Sequence, residues 1–474
     1  MMTQQIPSSI LFCTETFRPE DQTFFEALYA QLSSNYLKLC ITADRTLPSS
    51  HPMVIPSARQ YGLLLQKLGA RDLLTEDDLQ SALDNARAWG SREAGWYTPE
   101  VLRALAVGFE FQIAVLRPTL ILLWNKVRSA PFVLDLIAKK HGIRTLALER
   151  TPYPNLVSLD PEGSLCDSAI YKSARNHFVK GDWSHFEPSA VCAYERAQAN
   201  APSTWWSQPE QKNLPELRCK LKVPENAEVI LFLGQVDRDV QNTRHNPFFS
   251  DNQHAFRSFL DALPDELPLF VIGKHHPMSE IPAEGYQRLI HPSKGVWTSD
   301  LNIHDAFALC HRVAAVNSAG AFEAALQGIP TTTLGRSMLS DFDVFYEWRC
   351  ADDKSTVSNW LHATPIEAEG RRQRARQVLD YFLQQDFYYF APTAPEDLKG
   401  PPELAQRLSC LATHSVQCAS RTAPQLEDLQ LLSAGLQALS DLNSSAIAKP
   451  AMKLERRLRR TLSRIASTLR PQDN

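Results

Sequence analysis

Long apolar runs, paired cysteines and solenoid repeats are all missing from this sequence, and each absence excludes a class of protein. No run of roughly 18 apolar residues exists, so no membrane-spanning helix is predicted. The nine cysteines are scattered, without a CxxC pair or a Cys/His pair at zinc spacing, so neither a zinc site nor a disulfide framework is expected. No basic segment precedes an apolar core in the first residues, and a signal peptide is not expected. These absences favour a reducing, cytosolic compartment.

The charge and composition are those of an ordinary globular protein. The formal net charge of −4 gives no global reason to expect a nucleic acid as partner. Hydrophobic residues make up 44% of the chain and charged residues 22%, which is typical of soluble domains. A length of 474 residues is too great for one hydrophobic core, so we expect two domains with additional segments.

Two series of apolar strands alternate with helical segments, which predicts parallel sheets. The predicted strands are residues 8–12, 36–43, 118–124 and 143–148 in the first series, and 228–233, 269–272, 312–316 and 331–334 in the second. The clearest helices are residues 21–32, 130–141 and 321–327. Two doubly wound halves joined by a linker indicate a GT-B-like α/β fold, in which two Rossmann-type domains face a ligand cleft. The predicted divisions are residues 1–184, an interdomain segment 185–225, a nucleotide-sugar domain 226–395 and a helical tail 396–474.

The tail ends in a basic amphipathic pattern. Leucines 429, 432, 436 and 439 suggest a short helical seam, which is too brief to define an oligomer. Within 451–470 the apolar positions fall on one helical face, and the other face carries Lys453, Arg456, Arg457, Arg459, Arg460, Arg464 and Arg470. This composition favours a helix lying on an anionic membrane surface, and the alternative is a basic helix packed on its own protein or on a partner.

Polar groups follow two of the predicted strands in the second half. One strand runs into Lys274, His275, His276 and Pro277. Another runs into Asn317 and a helix with small residues at its start, which are Ser318, Ala319 and Gly320, and with Glu323 about one turn in. Small residues expose the free amides at the start of a helix, where the helix dipole favours a phosphate. With Glu323 placed to bind sugar hydroxyls, the pattern predicts a nucleotide-sugar pocket.

A third loop follows the strand 228–233 and carries Gln235, Asp237 and Asp239. A carboxylate just past a buried strand is a natural catalytic position in an open α/β sheet, although loop aspartates are more often turn formers. The two aspartates also form a D-x-D pair, which binds a divalent cation in some transferases. Nothing else in the sequence calls for a metal, and none is expected.

The order of these motifs resembles the capsule-polysaccharide synthesis proteins of Gram-negative bacteria, a family that includes β-Kdo glycosyltransferases using CMP-Kdo. The motifs are Q-x-x-x-D from Gln235 to Asp239, N-x-x-x-x-P-F with Asn242, Pro247 and Phe248, K-x-H-P from Lys274 to Pro277, and N-S-x-x-x-x-E from Asn317 to Glu323. A second stretch is similar to the family's W-N, E-x-G and D-x-x-G pattern, with Trp124-Asn125, Glu149-Arg150 and Asp160 to Gly163.

The resemblance implies roles for individual residues. Asp239 matches the catalytic aspartate and Gln235 its companion, His276 with Pro277 matches the pair that meets the cytidylate phosphate, Ser318 the phosphate-binding serine, and Glu323 the ribose-binding glutamate. The β-Kdo enzymes of the family are retaining, which implies a covalent sugar adduct on the aspartate. The acid/base group is open between His275 and Asp237, and in an inverting enzyme Asp239 would act as base instead.

Several expectations and alternatives follow from the resemblance. It implies CMP-Kdo as donor with no further cofactor, a glycan acceptor, other polysaccharide-assembly proteins as partners, and a place on the cytoplasmic face of the inner membrane. Arg150 stands where the family often has a small residue, which leaves acceptor recognition open, and Asp237 competes with Asp239 for the catalytic role. The alternatives are a GT-B transferase or epimerase using another nucleotide sugar, and a non-enzymatic scaffold of an export complex.

Overall fold

The computed structural model falls into two compact units. The first comprises Met1–Glu149, Ala391–Thr393 and Gly400–Asn474, and the second comprises Arg150–Phe390 and Ala394–Lys399. The residues that the structure describes are 9–14, 19–32, 37–42, 54–55, 58–67, 72–88, 95–116, 118–181, 183, 188–200, 208–237, 245–246 and 248–418.

The first unit is built on parallel strands flanked by helices. Its strands are β1 (Ser9–Thr14), β2 (Leu37–Thr42), β3 (Val54–Ile55), β4 (Leu120–Trp124) and β5 (Arg144–Arg150). Its helices up to that point are α1 (Pro19–Gln31), α2 (Ala58–Lys67), α3 (Glu76–Ala88), α4 (Pro99–Leu116) and α5 (Ser129–Lys140). The strands lie in the order β5-β4-β1-β2-β3. Every residue of β4 is buried, as expected for a central parallel strand with a continuous apolar sequence.

Helices α2 and α4 touch each other through their backbones. A Cβ atom on Gly62 would lie 1.6 Å from the carbonyl oxygen of Ala104, and one on Gly108 would lie 1.9 Å from that of Ala58. Glycine is therefore required at both positions by the close approach, and the two small-residue pairs lie one helical turn apart in each helix.

The second unit contains a parallel sheet of six strands. Two strands of this unit, β6 (Leu156–Asp160) and β13 (Phe387–Tyr389), lie outside that sheet, whose strands are β7 (Glu228–Leu233), β8 (Leu269–Lys274), β9 (Gly295–Thr298), β10 (Arg312–Ala315), β11 (Thr331–Thr333) and β12 (Tyr346–Glu347). Its helices are α6 (Ala169–Val179), α7 (Pro188–Asn200), α8 (Leu214–Lys220), α9 (Asn252–Ala262), α10 (Ala283–Gln287), α11 (Ile303–Leu309), α12 (Ala319–Leu326), α13 (Lys354–Leu361) and α14 (Pro365–Gln384). A short 3-10 helix spans Leu165–Asp167, and β6 pairs with β13 in antiparallel register.

The order of the six strands, β12-β11-β10-β7-β8-β9, creates a switch point beside β7. The chain passes from β7 to β8 and β9 on one side, and continues with β10, β11 and β12 on the other. All neighbours are parallel, so their carboxyl ends lie on one edge of the sheet. In open α/β sheets the crevice at such a point is the usual place for a ligand.

The chain finally returns to the first unit as helix α15 (Pro401–Cys418). This helix packs against α1, and Leu404 and Leu408 on it are completely buried. The first unit is therefore made from two widely separated parts of the sequence.

The predicted fold class, two Rossmann-type α/β halves of the GT-B kind, is confirmed by these strands. Strand β7 has the predicted bounds, and the other strands predicted in each series are present. The segment 185–225, expected as a polar passage between domains, contains α7 and α8 and lies within the second unit, which begins at Arg150. The leucine seam at 429–439 and the basic pattern at 451–470 lie outside the described residues.

Candidate functional site

Three loops meet at the carboxyl edge of the six-stranded sheet, because β7, β8 and β10 are neighbours. Gln235 follows β7 and Asn317 follows β10, and the Nε2 of Gln235 donates to Oδ1 of Asn317 at 2.9 Å. The Nδ2 of Asn317 donates to the carbonyl of Arg336 at 3.2 Å, beyond the end of β11. Both amide residues are buried. The structure thus brings these two predicted site residues into direct contact.

Lys274 is the last residue of β8 and is only 7% exposed. Burial lowers the pKa of its ammonium, and the nearby Glu323 carboxylate partly restores it. Burial in turn raises the pKa of Glu323 to about 7, against the opposing attraction of Lys274. Within the described part of the chain the Lys274 ammonium makes no hydrogen bond. A buried cation in this state is well suited to an anionic ligand.

Ser318 stands at the N-cap of α12, where its hydroxyl accepts no hydrogen bond from the helix. Ala319 and Gly320 form the first turn, so the amides at this helix start are not covered by large side chains. A Cβ atom on Gly320 would lie 2.8 Å from Cδ1 of Leu233, so glycine lets α12 approach the end of β7. The helix start and the Ser318 hydroxyl together offer donors to a phosphate.

His276 is held as a neutral imidazole. Its Nδ1 accepts a hydrogen bond from the amide of Met278 at 3.1 Å, in a turn that contains the exposed Pro277. Burial, with the repulsion of Lys274, lowers the pKa of His276 to about 4. With Nδ1 as acceptor, the ring proton sits on Nε2, which is then a hydrogen-bond donor.

The carboxylate of Asp237 accepts hydrogen bonds on both oxygens. The donors are the side chains of Asn252, Ser279 and Tyr286, at 3.1, 2.6 and 2.8 Å, and the amides of Glu280 and Ile281, at 2.9 and 3.4 Å. Burial alone would raise the pKa of Asp237, but these hydrogen bonds outweigh it, so the pKa lies below its usual value. The other carboxylate of this loop, Asp239, lies outside the described residues, as does Asn242.

The D-x-x-G stretch after β6 has a structural role. Asp160 is completely buried and accepts hydrogen bonds from four backbone amides, those of Glu162, Gly163, Ala169 and Ile170, at 2.8 to 3.0 Å. It therefore fixes the turn and the first residues of α6. The motif therefore stabilises the fold of the second unit.

The W-N and E-x-G motifs meet in the first unit. Asn125 has a left-handed backbone with φ 55°. With its amide turned to satisfy both neighbours, Asn125 donates to Oε1 of Glu149 at 2.6 Å and accepts from Nε1 of Trp124 at 3.2 Å. Arg150, the departure from the family pattern, places its guanidinium over the ring of Phe390 at 5.1 Å, within the second unit.

Sequence reasoning missed Asn252, Tyr286 and Trp297. Tyr286 stacks on Trp297 with ring centroids 4.2 Å apart, and the Nε1 of Trp297 donates to Nδ1 of His275 at 3.1 Å. None of the three belongs to a motif of its own. Only the tertiary packing of α9, α10 and β9 brings them beside the loops of the site.

Residues 167–388, somewhat under half of the chain, match the family described as capsule polysaccharide biosynthesis protein. The matched region contains the motifs at Gln235, Lys274–Pro277 and Asn317–Glu323. The family resemblance predicted from those motifs is thereby confirmed for this region of the chain. A comparison with curated proteins finds no match.

Several solved structures are similar to this chain at low identity and low TM-score. The β-Kdo 2,7 transferase of Thermosulfurimonas dismutans KpsC is 12% identical with a TM-score of 0.40, over 85% of this chain and 99% of that one. The β-Kdo 2,4 transferase of the same KpsC is 14% identical with a TM-score of 0.36, over 55% of this chain and 85% of that one. The S. aureus MnaA structure with UDP is 10% identical with a TM-score of 0.38, over 88% and 99% of the two chains.

Among the described residues no helix is both long and apolar enough to cross a bilayer.

Proposed function

We propose that this chain is a glycosyltransferase that moves Kdo from CMP-Kdo to a sugar acceptor during synthesis of a bacterial surface polysaccharide. The observation that carries the proposal is the buried Lys274, which lies at the sheet edge with the neutral His276 and with Ser318, whose hydroxyl makes no capping hydrogen bond. Together they offer one positive charge and several donors, which suits the single phosphate of a nucleoside monophosphate sugar. Glu323, one turn into α12, would accept hydrogen bonds from the ribose hydroxyls.

The proposed chemistry is a double displacement on Asp239. Its carboxylate forms a bond to the anomeric carbon of Kdo while the bond from that carbon to the phosphate oxygen breaks, and CMP leaves with the electron pair. The acceptor hydroxyl then attacks the same carbon, loses its proton to a general base, and frees the Asp239 carboxylate. Gln235 and Asn317 join the ends of β7 and β10 through their side-chain hydrogen bond. An inverting mechanism would use Asp239 as the base instead.

Two other functions remain alternatives, a transferase or epimerase using another nucleotide sugar, and a scaffold of an export complex. Titration with CMP and UDP in parallel separates these, because the first alternative predicts preference for UDP and the second predicts no binding of either. The proposed CMP-Kdo transferase should bind CMP more tightly than UDP.

The decisive experiment is intact-mass spectrometry after mixing the protein with freshly generated CMP-Kdo, with Asp239→Ala and Asp239→Asn in parallel. We expect a mass increase of one Kdo residue in the native protein and none in the variants. CMP release only in the presence of acceptor, with no adduct, would favour inversion. No CMP binding at all would overturn the donor assignment.

We also propose that the chain is a peripheral protein of the cytoplasmic face of the inner membrane, held by its basic segment 451–470 and in contact there with other polysaccharide-assembly proteins. The pattern of one apolar and one basic face supports the membrane contact.

A further inference from the structure

Asp237 joins the two loops that follow β7 and β8. We use the name Asp237 bridge for Asp237 and its five donors, of which four, Ser279, Glu280, Ile281 and Tyr286, come after β8. The fifth, Asn252, also donates from the same Nδ2 to the carbonyl of Gln235 at 3.1 Å. The bridge therefore ties the loop of Gln235 to the turn that carries Lys274 and His276.

His275 is held by the same framework. Its backbone amide donates to the carbonyl of Thr298 at 2.8 Å, and its Nδ1 accepts from Trp297. Trp297 is stacked on Tyr286, which donates to Asp237. One continuous set of contacts thus runs from Asp237 through Tyr286 and Trp297 to His275.

We propose that Asp237 and His275 are positioning residues that hold the Lys274–Pro277 turn against the loop of Gln235, and that neither transfers a proton in the reaction. The proposal rests on the proposed function, since it concerns the turn that would bind the donor phosphate. It excludes His275 and Asp237, the two groups suggested by their proximity in sequence, as the acid/base group of the reaction.

The hydrogen bonds make proton transfer by these groups unfavourable. Both oxygens of Asp237 already accept hydrogen bonds, so protonation would break at least one and leave a buried donor without a partner. The Nδ1 of His275 is likewise occupied, which fixes its proton on Nε2. The charged and titratable groups around His275 are Asp237, Glu284, Lys274, His276 and Tyr286.

His275→Asn and His275→Ala form the sharpest pair of variants. The Oδ1 of asparagine can take the place of Nδ1 as acceptor for Trp297, whereas alanine offers no acceptor and neither variant can carry a ring proton. We expect the alanine variant to bind CMP roughly tenfold more weakly, the loss of one buried hydrogen bond, and the asparagine variant to be rescued to within about threefold. The pH profile of CMP release from CMP-Kdo should keep both limbs in the asparagine variant.

A loss of about a hundredfold in kcat in both variants, with unchanged CMP affinity and one limb of the pH profile missing, would overturn the proposal, because that is the signature of a lost acid/base group.

Tyr286→Phe and Asp237→Asn test the bridge without any nucleotide. Phenylalanine at 286 keeps the stacking on Trp297 but removes the hydroxyl donor. Asparagine at 237 puts an NH2 donor where an acceptor oxygen is needed. We expect faster hydrogen exchange across residues 274–282 in both variants, more in Asp237→Asn, with peptides from the first unit as the internal control. Unchanged exchange would refute the bridge. If exchange changes as expected but the native protein binds no CMP, the proposed function fails and the framework stands.

Discussion

Individual residues at the sheet edge differ in how fully the protein satisfies their polar groups. Asp237, Gln235 and the Nδ1 of His275 have protein partners. Lys274 and Ser318 are buried, and within the described part of the chain the Lys274 ammonium makes no hydrogen bond and the Ser318 hydroxyl does not cap α12. Groups of the first kind hold the loops, and those of the second kind are the ones a ligand would satisfy.

Glu323→Gln tests how much stability the protein loses by burying an ionised carboxylate at Glu323. The ordinary pKa of the carboxyl is 4.5, and burial raises it to about 7 in the folded protein. Between these values the folded state holds a proton that the unfolded state has lost, so this contribution to stability is present at low pH and is lost as the pH rises through 7. We expect the variant to gain roughly 1–3 kcal/mol on the native protein between about pH 5 and about pH 8 in urea unfolding, since one pKa unit is worth about 1.4 kcal/mol.

His276→Asn is the control, with the opposite sign. Because the pKa of His276 is lowered from 6.5 to about 4, its contribution to stability is present above pH 6.5 and is lost as the pH falls towards 4. If the free energy of unfolding depends on pH in the same way for Glu323→Gln and for the native protein, the raised pKa of Glu323 is contradicted.

Among the secondary-structure elements, the long apolar strands were predictable, whereas β12 and β13 were not. β4 and β7 are continuous apolar runs, which is what a parallel strand covered on both faces requires. β12 and β13 have only two and three residues, too few to show a periodic pattern. Helix α14 has a largely polar sequence that includes Arg371 and Arg376, whose partners Asp343 and Glu195 lie elsewhere in the chain.

The same distinction applies to the site. Gln235, Lys274 and Asn317 could be predicted to lie together, because the ends of neighbouring parallel strands share one edge. Trp297 and Tyr286 could not, since they reach His275 and Asp237 only through packing between elements distant in sequence.

Two helix N-caps provide a matched pair of variants at this scale. Thr364 caps α14 in a complete capping box with Glu367, whereas Ser318 at α12 makes no side-chain cap. We expect Thr364→Ala to lower the free energy of unfolding by about 1 kcal/mol and to leave CMP affinity intact. Ser318→Ala should cost less than about 0.5 kcal/mol of stability but weaken CMP binding roughly tenfold, because a hydrogen bond to a charged phosphate is lost.

Thermal or urea unfolding and calorimetric titration with CMP give the two readouts. Equal CMP affinity for Ser318→Ala and the native protein would remove Ser318 from the phosphate site, while a stability loss equal to that of Thr364→Ala would mean that its hydroxyl acts as a cap after all.

For the molecule as a whole, the charge distribution leads to a prediction about membranes. The chain carries a net charge of −4, yet the segment 451–470 is strongly basic. We expect deletion of residues 450–474 to release the protein from phosphatidylglycerol liposomes while catalysis on a soluble acceptor persists, since each basic side chain near an anionic surface contributes about 1 kcal/mol. Co-sedimentation measures the binding.

The full-length variant with Arg456, Arg459 and Arg460 changed to Gln controls for loss of the segment itself, and phosphatidylcholine liposomes control for charge. Undiminished binding of both variants to anionic liposomes would exclude this segment as the membrane contact.

The return of the chain to the first unit has a consequence for biosynthesis. The ribosome releases the strands of the first unit early, but α15, with the buried Leu404 and Leu408, is made only after residue 400. The second unit is contained between residues 150 and 399, so it can complete its fold while the first unit still lacks α15. Nascent chains stalled when residue 399 has left the ribosomal exit tunnel but α15 has not should therefore resist protease in the later unit and remain sensitive in the earlier one, the reverse of the usual N-to-C order of vectorial folding.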